Sequence, residues 1–135
     1  MKKVKIEMIN HKHEEEPIEV IYIGELDKKG KKSRVVYDES ILTGMEGVTT
    51  EIFIEDEQVE IIRKGNIKSR MLFKENYKDV FLYQMEVGTM TMSLHTDKLD
   101  VIQTREGFEI SMKYSLLISG DQKDQNEMRI NISKP

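Results

Sequence analysis

Apolar and polar residues alternate one for one along most of this chain from about residue 34, and turn residues interrupt the alternation at short intervals. Val48, Thr50, Ile52 and Ile54 share one face of the first clear run, with Thr49, Glu51 and Glu55 on the other. Val59, Ile61 and Arg63 follow, then Ile67, Ser69, Met71 and Phe73, then Phe81, Tyr83 and Met85. The pattern continues through Met90, Met92 and Leu94, through Ile110, Met112, Tyr114 and Leu116, and through Met128, Ile130 and Ile132. Successive side chains of a strand point to opposite faces of its sheet, so this periodicity marks half-buried antiparallel strands. A small protein with so many strands must hide their edges, and closing the sheet on itself does this most completely. The expected fold is all-β, a closed antiparallel meander barrel of about eight to ten strands.

Residues 44–47, 56–57, 65–66, 74–78, 87–88, 97–98 and 106–107 read as tight turns, because Gly, Asn and Asp there supply the positive φ that short hairpins require. Earlier strands are expected around residues 3–9 (Val4, Ile6 and Met8 on one face), 18–25 and 34–42, the last presenting Val35, Tyr37 and Ile41 to the core. Residues 10–17 and 27–33 read as polar loops, and 99–104 as a short strand of its own. No run shows a 3.6-residue period with caps, so no helix is expected. Nothing divides the chain, and residues 1–135 read as a single domain of ordinary size.

Composition excludes several classes of function. The net charge is −4, with 21 basic and 25 acidic residues interspersed, which is not the basic face of a nucleic-acid binder. The basic cluster at 28–32 reads as a solvated loop. Absence of cysteine rules out disulfides, thiolate metal sites and cysteine nucleophiles. No apolar run of signal-peptide length follows the N-terminal lysines, and nothing approaches the roughly 20 apolar residues of a membrane span. The expectation is a cytoplasmic protein with neither a membrane nor a nucleic acid as partner, and with no cofactor.

An ordered set of residues resembles a bacterial family. It comprises Tyr37, Arg63-x-Gly65 ahead of a strand ending in Phe73, Tyr83-x-Met85, Gly88, Leu94-x-Thr96, Tyr114, and Asn126 before Met128-x-Ile130-x-Ile132. Together they are similar to the YwiB-like domain-of-unknown-function family, small calycin-like (lipocalin-like) β-barrel proteins. The resemblance implies a closed antiparallel barrel shaped like those of lipocalins and fatty-acid-binding proteins, and it implies no activity. The chain departs from the usual calycin pattern in having no tryptophan.

Arg63 is the foremost candidate for chemistry because it continues the apolar register of Val59 and Ile61. A charge on the inner face needs a carboxylate, carbonyls, water or an anionic ligand, and guanidinium suits a planar bidentate acceptor. The competing reading places its head in water at the strand end. Tyr37, Tyr83 and Tyr114, with Met85, Met92 and Met112, fall on inward faces and would form the wall of a lumen or, equally, plain core. His11 and His13 beside Glu14–Glu16 read as solvated loop, and His95 as outward-facing. No Ser/His/Asp set, inward carboxylate pair, metal-ligand cluster or nucleotide-binding glycine motif is present.

Three functional readings follow. The first is a non-catalytic barrel binding a small, mostly apolar ligand, neutral or anionic. The alternative is a filled structural barrel acting as a homo-oligomer, such as a homodimer, or as a protein-interaction module through Ile21, Ile23, Val36, Ile62, Val80 and Leu82, which lie outside the main register. An enzyme on this scaffold is the third, and no catalytic residue can be named for it.

Overall fold

The alternation folds into ten strands of one sheet in the computed structural model, which describes residues 1–118 and 123–135. The strands are β1 (Lys2–Lys12), β2 (Ile18–Lys29), β3 (Lys32–Asp38), β4 (Val48–Ile54) and β5 (Gln58–Gly65), then β6 (Ser69–Lys74), β7 (Tyr77–Met85), β8 (Gly88–Gln103), β9 (Phe108–Ile118) and β10 (Asp124–Ser133). One 3-10 turn (Ile41–Thr43) is present, and there is no α-helix among the described residues. The order across the sheet is β6-β5-β4-β3-β2-β1-β10-β9-β8-β7 and every ladder is antiparallel. The first and last strands pair in the middle of the sheet, so its two edges are β6 and β7, which are consecutive in sequence. A single bridge between Lys68 and Gln84 brings these edges together, making a nearly closed barrel.

The inward register carries the core. At one end Val4, Leu26, Ile54, Val59, Phe73, Phe108 and Ile132 are all buried, and this end is solid. At the other, Met8, Val20, Tyr83, Met92 and Leu116 are half-buried and the packing is looser. Polar partners cover the outer face. Glu51 points outward yet is buried beneath Lys64 and Arg34, each 2.6 Å from it, and the Lys64 bond foremost holds its carboxyl below the usual value.

Three readings from sequence need correction. Asp97 and Lys98 do not form a turn: β8 runs through them with a register shift between Thr96 and Lys98. The inward series Leu94, Thr96 therefore passes to Leu99, Val101, and residues 99–103 continue β8, which ends before Thr104, rather than beginning a new strand. A bulge inserts one extra residue, which switches the parity and looks in sequence like a break. Ile41 is not core; it is 72% exposed, because the third strand stops at Asp38 and the 3-10 turn follows. The loop at 27–33 shrinks to the tight turn at Gly30-Lys31, with Lys29 paired to Lys32.

Gly24 lies on the inner face of β2 between Tyr22 and Leu26. A Cβ there would strike the Val36 carbonyl oxygen and sit 3.0 Å from both Ile6 Cδ1 and Tyr37 Cβ. Gly24→Ala should lower the unfolding free energy by about 1–3 kcal/mol through overpacking. Urea denaturation with an unchanged slope would measure it, and an unshifted midpoint would mean that β2 and β3 can separate freely.

Candidate functional site

Strand alternation aims a set of polar side chains at the looser end of the barrel. On β3 the inward series Ser33, Val35, Tyr37 runs on to Glu39, whose N–H donates to the Val48 carbonyl (2.8 Å) and so keeps the strand geometry one step further. The corresponding series are Val20, Tyr22, Gly24 on β2, Val48, Thr50, Ile52 on β4, and Val59, Ile61, Arg63 on β5. The loop after the 3-10 turn is pinned across this end. Asn66 donates to the Gly47 carbonyl from its N–H (3.3 Å) and to the Glu46 carbonyl from Nδ2 (3.1 Å). Gly65 has a φ of 110°, and any side chain there would strike the Gly47 carbonyl oxygen, so glycine alone permits this crossing.

Glu39 is the hub. Its side chain is 3% exposed, and two hydroxyls donate to it, Tyr22 to Oε1 (2.7 Å) and Thr50 to Oε2 (2.6 Å), while the Thr43 hydroxyl, 3.4 Å from Oε1, donates its proton to the Ser40 carbonyl at 2.8 Å. Arg63, 12% exposed, approaches to 3.8 Å from Oε2, close enough for charge attraction but too far for a hydrogen bond. Arg63 Nη1 reaches Met71 Sδ at 3.7 Å, a weak contact, and its buried Nε has no hydrogen-bond partner. Asn10 Oδ1, Ser69 Oγ and Thr96 Oγ1 are likewise buried and unpaired. In the ladders Arg63 lies opposite Thr50 and Ser69, and Tyr114 opposite Thr96 and Asn126, and these inward polar groups make up a belt on the barrel's inner wall. Leaving a buried polar atom without a partner costs about 1–3 kcal/mol, so this belt is a place where water or a ligand is favoured.

Above the belt is a cup of about 280 Å³. Met8, Val20, Met45 and Met128 give it apolar walls, while Asn10, Tyr22, Tyr37, Glu39, Thr43 and Arg63 supply polar groups. Tyr22 and Tyr37 stack with ring centroids 4.3 Å apart, and the Tyr37 hydroxyl donates to Met8 Sδ at 3.3 Å. Burial, reinforced by donation to Glu39, pushes the Tyr22 hydroxyl up to about 12. Burial likewise raises Tyr37, and raises Tyr114 to about 12 against the opposing pull of Arg63. All three remain hydrogen-bond donors at neutral pH.

Of the residues singled out in the sequence, Arg63 and Tyr37 border the cup. Tyr114 is buried in the belt, edge-on to Phe73 at 5.1 Å. Tyr83, Met85 and Met92 are half-buried on β7 and β8 and do not border the cup, and Met112 is buried in the core. Glu39, Tyr22 and Asn10 were not anticipated, although strand parity from Val35 and Val20 points to the first two. His11, His13 and Asp97 border a small surface recess, where His95 Nδ1 lies 2.9 Å from Asp97 Oδ1. No group of three His, Asp or Glu side chains among the described residues could hold a metal ion.

Residues 3–130 match the family described as Domain of unknown function (DUF1934). The chain belongs to the DUF1934 family. A solved structure has a similar architecture: the crystal structure of ywiB protein from Bacillus subtilis matches with a TM-score of 0.82 at 19% identity, over 98% of this chain and 90% of that one. At that identity the likeness concerns the fold alone. No curated protein matches this DUF1934 chain in sequence. No helix among the described residues is long and apolar enough to cross a membrane.

The raised tyrosines make a pH prediction. Folding favours their protonated forms, so above their ordinary value of 10 the unfolded chain has lost protons that the folded one keeps. Their stabilising contribution is complete below pH 10 and disappears as pH rises through about 12. Ultraviolet titration should show part of the tyrosine absorbance change delayed to about pH 12 or coinciding with alkaline unfolding; uniform titration at the ordinary value would contradict the geometry. Glu39→Gln, which leaves Arg63 buried without its counter-charge, should cost about 2–4 kcal/mol by chemical denaturation. Adding Arg63→Met to that variant should recover part of the loss.

Proposed function

We propose that the barrel is a non-catalytic binding protein that receives a small, mostly apolar molecule in the cup and holds its acidic or acceptor group at Arg63. One observation carries this reading: a buried guanidinium whose Nε has no hydrogen-bond partner stands at the base of a cavity with methionine walls. Glu39 neutralises Arg63, but its own oxygens are occupied by the Tyr22 and Thr50 hydroxyls, which leaves the guanidinium fork available to a planar acceptor. Flexible thioethers adapt to an apolar guest. The volume, 280 Å³, suits a ligand at the small end of the usual range of about 300–1,000 Å³. A chain without cysteine is suited to work in a reducing cytoplasm.

A second reading, a homo-oligomer or protein-interaction module, draws on the outer face. Ile21 and Ile23 on β2 are 56% and 55% exposed, and Ile9 on β1, opposite Glu19, lies diagonally beside Ile21 on the same outer face. Isolated exposed apolar residues are ordinary, whereas a contiguous group marks an interaction site.

Native mass spectrometry of protein purified gently from its own host, set against the denatured mass, separates these. The ligand reading predicts a monomer with a discrete extra mass that Arg63→Met abolishes. A bare monomer counts against carriage of a ligand, and a bare dimer transfers the function to the outer face.

A further inference from the structure

The barrel wall has one incomplete seam. Strands β6 and β7 are joined by the two-residue turn Glu75-Asn76, with Asn76 at φ 58°, and would be expected to zip together as the other sequential strands do. Among the described residues they share the Lys68–Gln84 bridge, whose two N–H···O bonds are each 2.9 Å. Beyond it, the Asp79 carboxylate accepts from the Leu72 N–H at 2.9 Å, a side chain standing in for a ladder carbonyl. Between bridge and turn lies a slit of about 660 Å³. It is closed at both ends, by the bridge and by the turn, so an added peptide strand could not lie along it.

The inner side of the slit is formed in part by Arg63 and Ser69, which are cross-strand partners on β5 and β6. These two side chains contribute two of the four buried unpaired polar atoms, Arg63 Nε and Ser69 Oγ, and both can donate a hydrogen bond. Arg63 also borders the cup, so this one residue is shared by slit and cup. Opening the wall here breaks two backbone hydrogen bonds and one side-chain bond, far fewer than along any full ladder, and local opening follows the least-bonded segment.

We propose that the β6–β7 slit is a side entrance to the barrel, latched by Asp79 on Leu72, through which an oxyanion group of the ligand, such as a carboxylate, reaches Arg63 and Ser69. This rests on the ligand-binding reading above and adds to it the route and the class of group recognised. Two adjacent donors with no protein acceptor select an oxygen-rich head, while the apolar remainder lies in the cup.

The test uses anilinonaphthalene sulfonate, an apolar oxyanion that fluoresces when bound, followed by stopped-flow mixing. The chain has no cysteine, and Arg70 and Leu82 are exposed on opposite sides of the slit, so Arg70→Cys with Leu82→Cys can be bridged reversibly by a short bis-methanethiosulfonate. The bridge is expected to slow both association and release by about tenfold or more, with Kd changed by less than about twofold and reductant restoring both rates. Asp79→Ala, which removes the latch, should accelerate both. Unaltered rates in the bridged and Asp79→Ala proteins, with binding still dependent on Arg63, would place the entrance at the cup and overturn the inference alone. Absence of binding, or binding indifferent to Arg63→Met, would overturn the function reading and the inference together.

Discussion

A guanidinium on the inner face of a narrow barrel must be neutralised from within, and much of the looser end is arranged around that requirement. Arg63 is placed inside by the same alternation that buries Val59 and Ile61. Its counter-charge comes from Glu39, one residue beyond β3, kept in strand geometry by its bond to Val48. The Tyr22 and Thr50 hydroxyls then hold the carboxylate, and the loop carrying Thr43 and Met45 is fastened over the end by Gly47, Gly65 and Asn66. The pair costs desolvation and gains only a 3.8 Å attraction, so it is weak as a stabilising device. Its incomplete hydrogen bonding makes chemical sense as a receptor for a third group.

The barrel's topology separates strength from access. Pairing β1 with β10 ties both ends of the described chain into the middle of the sheet, where long ladders run without interruption. The discontinuity is left to β6 and β7, in mid-sequence, at the level of Arg63 and Ser69. The opposite end, filled by Phe73, Phe108, Ile132 and their neighbours, supplies the core that a chain with 38% hydrophobic residues can afford. Solid packing at one end and polar, partly unpaired lining at the other set the stable core apart from the proposed binding cup within a single sheet.

Much of this was legible in the residues. Period two located the inward faces from Val48 to Ile132 and identified the unusual position of Arg63. It failed where one residue breaks parity. At Asp97 a bulge changes which residues face inward, and a polar pair followed by a changed register is the same signal that a turn would give. It also failed where a strand ends early. Ile41 keeps the parity of Val35 and Tyr37, but the chain leaves the sheet after Asp38 and Ile41 is exposed. Glu39 was passed over because acidic residues on strands usually face water; its inward direction is explained by its partner on β5, twenty-four positions later. The seam is invisible locally, since the turn at Glu75-Asn76 looks like that of any complete hairpin.

The measurement closest to the central claim is the proton–nitrogen NMR signal of the Arg63 Nε–H, assigned by its disappearance in Arg63→Lys. A buried Nε held beside Glu39 and bonded to nothing predicts a resolved resonance, protected from solvent exchange, that shifts on titration with anilinonaphthalene sulfonate. A resonance that exchanges as freely as those of surface arginines and ignores the probe would mean that Arg63 faces water, and that the belt, the cup and the slit do not form one binding site.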